Sequence, residues 1–541
     1  MGTETVEPPA DGADRQLQRL ARGGMLSVAG SAVSSIAGIA LVATVTNGFT
    51  QADAGTLFAT TSVFVILTSI TQLGTEIGLV RWVPVLRATG RQAELWAVLG
   101  IALFPVLATS VLVAIGLYAG SEPAAAALLG DAQADDGAVM LRALAVAVPL
   151  GALYTSILAG TRGLGSMRPT VFADAFLRSV GQPVAVLAVV LTGGGPLALV
   201  LAWLAPYAVA CCWAVFALVR QTRRATTKAS QQPGQTPPGP RSALAREFWR
   251  FTGPRAIASL SQVALKRLDI VLVAALRSPA EAAIYTAATR FVVLGQLAVQ
   301  SIQQALSPQL SQLFARGDVA GARRIFQTAT SWMMLPSWPL YLVCAAIAPL
   351  ILSLFGEGYS EGNAVIVILA LAMLFATACG SVDTVLLMAG RSWLSLLNNV
   401  AALVVNVALN LLLIPPFGLV GAACAWAGAI VVRNVLPAVQ IHRLLSVSAG
   451  GRGAAVVGAS ALVCFGLPGL VLALSPAPQW LVLVVLAAGG GTAYAAALWR
   501  ERAVLQLPLL AATLAARARR TPSPQPPPQP PAQPPAEPGA R

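Results

Sequence analysis

Arg255, Ser259, Gln262, Lys266 and Asp269 follow one another at intervals of 4, 3, 4 and 3 residues. That spacing puts all five on one face of an α-helix. With Arg267 beside them, one segment carries three cations, one carboxylate, an amide and a hydroxyl. These side chains bind and solvate rather than make bonds. Four further segments repeat the habit. One has Tyr285, Thr289, Gln296, Gln300 and Gln303, and a second has Thr61, Thr68, Gln72 and Glu76. A third has Asn399, Asn406 and Asn410, and a fourth has Asp174, Arg178 and Gln182. Asp383 is a further lone acid in an apolar run.

The elements that carry them must cross a membrane. The chain has 541 residues, of which 56% are hydrophobic and 10% charged, and its mean hydropathy is +0.73. Ordinary soluble domains carry about 25% charged residues, so the charge for several polar exteriors is missing. Fourteen runs are long and apolar enough to span, the seventh (251–276) being the weakest. Placing the N-terminus in the cytoplasm puts Arg81, Arg87, Arg91, Arg162, Arg168, Arg220, Arg223, Arg224, Arg316, Arg391 and Arg443 on one side. Glu122, Asp131, Asp135, Asp136, Glu357 and Glu361 then face the other, with Arg277 the basic exception. The expected fold is therefore all-α, with both termini cytoplasmic. The net charge of +14 is accounted for by these loops, and no nucleic-acid-binding pattern accompanies it.

Ionisable residues inside spans cost roughly 2.5–3.5 kcal/mol each near the centre. The seventh span would thus be penalised by on the order of 10 kcal/mol in lipid, so its polar face must line water or protein. The bland reading of all these stripes is interhelical hydrogen bonding, which stands level with a cavity for the asparagines. Asp174 and Arg178, four residues apart, could neutralise each other.

Several features carry no chemistry. The six cysteines lie in apolar runs without a paired spacing, and His442 sits at a helix end, so no metal site and no cofactor are expected. The chain divides into a tail (1–22), a six-helix lobe (23–220), a Pro/Gly/Gln-rich linker (221–246) and a second six-helix lobe (247–442). Two added spans (453–500) and a basic, then Pro-rich tail (501–541) complete it. Gln51–Phe64 aligns without gaps to Ser278–Phe291, which predicts two lobes in parallel repeat with a site between them.

Residues 399–426 (NVAALVVNVALNLLLIPPFGLVGAACAW) resemble a passage of the polysaccharide and oligosaccharide flippases. That group lies in the multidrug/oligosaccharidyl-lipid/polysaccharide (MOP) exporter superfamily. Phe251–Phe291 and the run Ser307-Pro308-Gln309-Leu310-Ser311 resemble the family's seventh and eighth helices and following loop. The resemblance covers roughly residues 20–445 and implies two six-helix lobes around a central cavity. Only some members have two extra helices. It also implies a lipid-linked saccharide substrate with a pyrophosphate-type head group. The excess of arginine over lysine, with much alanine, points to a bacterial genome and so to a bacterial cytoplasmic membrane.

On that reading Arg178, Arg255, Lys266, Arg267 and Arg290 could pair with phosphates. Ser259, Gln262, Gln296 and Gln300 would face the cavity and suit sugar hydroxyls. Glu76, Asp269 or Asp383 could couple an ion. No Walker A run is present, and neither is a large domain with clustered carboxylates, so an enzyme is not expected. Partners would be membrane lipids and envelope glycan-synthesis proteins. Two alternatives remain: a drug/cation antiporter, whose cavity should be acidic or apolar, and a transport-inactive envelope scaffold recruiting partners through its Pro-rich tail.

Overall fold

A computed structural model describes residues 10–230 and 239–506. The expected N-terminal tail up to residue 9, the centre of the linker and the Pro-rich tail lie outside the described residues. Every regular element among the described residues is helical. The first lobe comprises α1 (Ala10–Gly48), α2 (Gln51–Thr71), α3 (Thr75–Ala88), α4 (Leu95–Ala119), α5 (Ala134–Gly163), α6 (Arg168–Thr192) and α7 (Pro196–Ser230). The second comprises α8 (Arg241–Leu276), α9 (Pro279–Ala288), α10 (Arg290–Ala315), α11 (Val319–Ala346), α12 (Asn363–Cys379), α13 (Val382–Met388) and α14 (Ser392–Leu445). α15 (Arg452–Ala473) and α16 (Gln479–Arg500) follow.

Among the described residues, eleven continuous helical segments are long and apolar enough to cross a membrane. One is α14, whose 54 residues contain two spans meeting at Gly418 (φ 54°, ψ −128°). Only glycine takes this backbone cheaply. A Cβ on Gly428 would meet Leu409, so the halves of α14 fold back on each other. α8 and α11 have the length as well, but α8 is diluted by its charges and α11 holds Pro336 and Pro339. The all-α membrane architecture expected from the sequence is thus the observed one.

Several spans read as single helices are broken. The second is interrupted between α2 and α3 by Leu73 (φ 53°) and Gly74 (φ 73°), so Glu76 leaves the line of Thr61 and Thr68. The eighth is offset at Thr289, and the tenth breaks at Gly380 (φ 70°). The fifth contains a π-helical stretch over Phe172–Val180. Helix also reaches into the expected linker from both sides, to Ser230 and from Arg241. The Arg, Ala and Lys there are good helix formers.

The aligned segments of the two lobes share their opening chemistry. Thr50 caps α2 by accepting from the Asp53 N–H, and Ser278 caps α9 by accepting from the Glu281 N–H. α2 packs along both α8 and α9. The approach is close: a Cβ on Gly55 would collide with the Pro279 carbonyl. α15 and α16 dock against α11. There Met334 and Ala346 pack with Val457, Phe465 and Tyr494, the Tyr494 hydroxyl donates to the Leu335 carbonyl (3.0 Å), and Trp332 Nε1 donates to the Leu505 carbonyl (2.9 Å).

The interface between the lobes

The helix connections sort by charge into an acidic end, with Glu122, Asp131, Glu357 and Glu361, and a basic end, with Arg91, Arg316 and Arg391. The lobes touch at both. At the acidic end Asn47 Nδ2 donates to the Leu354 carbonyl (3.0 Å) and Gln51 Nε2 to the Glu357 carbonyl (3.2 Å). At the basic end the Ser259 hydroxyl donates to Glu76 (3.4 Å), and Arg81 stacks over the Phe251 ring (4.0 Å). Gly74 lies so close to α8 that a Cβ would stand 2.9 Å from the Ala256 nitrogen. Arg255 covers the same Phe251 ring (3.8 Å) and donates to the Phe251 carbonyl (3.1 Å). Arg255 and Ser259 therefore belong to the contact at the basic end rather than to the central space.

Between these contacts the structure gathers cations from both lobes. Arg178 on α6 and Arg290 on α10 are each in electrostatic reach of Arg267 on α8, and Lys266 is in reach of Arg267 and of Arg433 on α14. Counted from the acidic-end terminus of each span (Thr192, Leu276 and, across the offset at Thr289, Pro279), Arg178, Lys266, Arg267 and Arg290 lie roughly nine to fourteen residues in. That is about 15–20 Å at 1.5 Å per residue, close to mid-depth of a ~30 Å hydrocarbon layer. Lys266 and Gln262, one turn apart on α8, are both exposed. Gln296 is half-buried and Gln300 exposed on α10.

The first-lobe side of this group rests on the π-helical stretch. Arg178 Nε donates to Asp174 (2.7 Å), the Tyr154 hydroxyl reaches the same oxygen (3.4 Å), and the Arg178 guanidinium stands 5.2 Å from the Tyr207 ring centre. Tyr207 in turn packs edge-on or tilted against Tyr154, Trp203 and Phe64. The pairing of Asp174 with Arg178 is formed, as their spacing suggested, and Arg178 is also within electrostatic reach of the second lobe's Arg267.

The three acids singled out as coupling candidates do not share neighbours. Glu76 is at the basic-end contact. Asp383 interacts with Arg433 and has one buried carboxylate oxygen without a hydrogen bond. Asp269 is buried, 3% exposed, and accepts from Asn410 Nδ2 (2.9 Å) and the Tyr285 hydroxyl (3.3 Å). It therefore ends the polar face of α8 inside a sealed polar cluster, because α9 and α14 cover that turn. Asn406 borders Asp269 in the same buried cluster, although neither of its side-chain polar atoms is in good hydrogen-bond geometry, and Asn410 Oδ1 and Thr286 Oγ1 likewise lack a partner. Arg433, Tyr154 and Tyr207 were absent from the candidates drawn from sequence. For Arg433 the signal existed, since a lone arginine stands within the apolar run AIVVRNVLPAV. The two tyrosines gave none.

No group of three or more His, Cys, Asp or Glu side chains fit to hold a metal occurs among the described residues. The fold is shared with solved transporters. A structure titled "Lipid II flippase MurJ, inward closed conformation" superposes with a TM-score of 0.69 over 89% of this chain and 99% of that one, at 11% identity. An inward-facing multidrug resistance MATE family transporter of the MOP superfamily gives 0.59 over 82% and 98%, at 15% identity. In sequence, the "Probable low-salt glycan biosynthesis flippase Agl15" of Haloferax volcanii is 22% identical over 204 residues. That match spans 38% of this chain and 43% of the relative's length. Residues 254–412 match the MatE family, and residues 20–314 match the family described as "Polysaccharide biosynthesis protein". With more than half of its length in that match, the chain belongs to the family described as "Polysaccharide biosynthesis protein", and it has the multi-pass helical fold of the solved transporters.

Proposed function

We propose that this protein flips a lipid-linked saccharide, carried on a pyrophosphate-type head group, across a bacterial cytoplasmic membrane for envelope polysaccharide synthesis. Both termini lie in the cytoplasm on this reading, because the basic end carries the arginine-rich connections. The observation that carries it is the cation cluster of Arg178, Lys266, Arg267, Arg290 and Arg433, to which both lobes contribute. Arg178 is paired with Asp174 and Arg433 lies near Asp383, which leaves Lys266, Arg267 and Arg290 as the like charges that are costly at mid-depth unless an anion completes them. A diphosphate does so through charge-assisted hydrogen bonds, bidentate from arginine. On this reading Gln262, Gln296 and Gln300 would border the same space, where they suit sugar hydroxyls. The resemblance to a glycan biosynthesis flippase supports the same substrate class.

Transport follows as alternating access. The acidic-end and basic-end contacts open in turn, and the lipid tail stays in the bilayer. Outward passage of one negative charge gains about 2.3 kcal/mol per 100 mV in a cell negative inside. Asp269, with the unpaired amide oxygen of Asn410 and the unpaired amide of Asn406 nearby, is the residue best placed to take up a proton or a small monovalent cation. Membrane lipids and envelope glycan-synthesis proteins are the expected partners.

The test is flipping of a labelled lipid-pyrophosphate saccharide in proteoliposomes under an imposed potential. Lys266→Gln with Arg267→Gln should slow it at least ~10-fold while the protein stays folded, since each lost charged hydrogen bond is worth roughly 1.5–3 kcal/mol. Undiminished flipping by the double variant removes the phosphate role from this cluster. Efflux of cationic dyes without any flipping would point to an antiporter.

A further inference from the structure

A second binding feature lies away from the lobe interface, on the basic-end half of α7. Cys212, Val215, Phe216 and Val219 line an open cavity of about 740 Å³, which continues to Arg220, Arg223 and Arg224. Cys212, Phe216, Arg220, Arg223 and Arg224 are all exposed, whereas Ala214, Leu218 and Thr222 on the opposite face are buried. The cavity therefore opens away from the lobe's core. Exposed rings extend its apolar part: Phe172 packs on Trp213 (5.0 Å) and Trp213 on Phe216 (5.9 Å). None of the three arginines is in an ion pair among the described residues.

We propose that this face of α7 binds an anionic diacyl phospholipid of the adjoining leaflet. The arginines start one helical turn beyond Phe216, about 6 Å along the axis, and end about 12 Å beyond it. That is the spacing at which acyl chains lie on Val215, Phe216 and Val219 while a phosphate sits among the guanidiniums. Arginine stems follow apolar surface and place their charge at head-group level. Three cations without a carboxylate partner select a lipid of net negative charge over a zwitterionic one, and clustered arginines at a span's cytoplasmic edge recognise such lipids electrostatically. This site serves as a fixed anchor, and it stands whether or not the transport reading holds.

Native mass spectrometry of the full-length protein with phosphatidylglycerol or phosphatidylcholine tests it. Phosphatidylglycerol should be retained preferentially. Arg220→Gln/Arg223→Gln/Arg224→Gln should weaken its binding on the order of a hundredfold, and the triple lysine variant should restore most of it. Equal retention of both lipids, or no effect of the glutamine variant, overturns the proposal. A variant keeping Cys212 as its sole cysteine supplies the second measurement. Its alkylation by a permeant maleimide should be fast in delipidated protein and slowed by phosphatidylglycerol. Slow labelling in both states means that protein fills the cavity, which also overturns the proposal.

Discussion

Asp174 and Asp269 are both acids within helices of a membrane bundle, and their surroundings differ in kind. Asp174 is held by a guanidinium on its own helix, whereas Asp269 has only amide and phenol donors. A carboxylate without a cation partner in a dry site is the one that gains most from a proton or a cation. Asp269→Asn should therefore leave the fold intact but make flipping insensitive to sodium and proton gradients, as read in proteoliposomes with each gradient imposed in turn. Gradient-dependent flipping by this variant would move coupling to Asp383 or Glu76. Arg178→Lys tests geometry rather than charge. An ammonium keeps the cation but loses the bidentate fork, so flipping should fall roughly tenfold or more with unchanged thermal stability. An unchanged rate would mean that Arg178 contributes only field.

Among the elements, the break between α2 and α3 determines how the lobes meet at the basic end. Gly74 supplies a left-handed backbone, and its missing Cβ lets the turn lie against α8. Gly74→Ala adds about 1 kcal/mol of backbone strain and pushes on Ala256. The melting temperature in detergent should fall by a few degrees, and Glu76 and Ser259 should separate. A melting temperature equal to the parent's would show that the turn relaxes freely. The π-helical stretch of α6 carries both Asp174 and Arg178 and holds the guanidinium against the Tyr207 ring of α7.

For the whole molecule, the informative quantity is which end is shut. Both sets of lobe contacts exist together in this structure, so transport requires each to break in turn. In a cysteine-free background, Gln51→Cys/Glu357→Cys at the acidic end and Glu76→Cys/Ser259→Cys at the basic end should each be joined by a short bis-methanethiosulfonate cross-linker that stops flipping, and reduction should restore it. If either cross-linked protein still flips substrate, the two-gate mechanism fails at that end.

Charge scarcity, hydropathy runs and arginine placement determined by themselves that this is an all-α, multi-pass protein with a sequence break near residue 418, because lipid imposes length and polarity on every span. The polar face of α8 was legible for the same reason: ionisable residues in an apolar run must face water or protein. Arg433 obeyed that rule too, although it stood alone and formed no stripe. What the tertiary structure alone decided is which polar residues meet. Helical spacing assigns a side chain to a face of its own helix, but α9 and α14 covering Asp269, the turn at Gly74 and the π-helical stretch under Arg178 depend on contacts between segments far apart in the chain. Those contacts split one five-residue stripe into a basic-end contact at Arg255 and Ser259, an open cationic middle at Gln262 and Lys266, and a sealed carboxylate at Asp269.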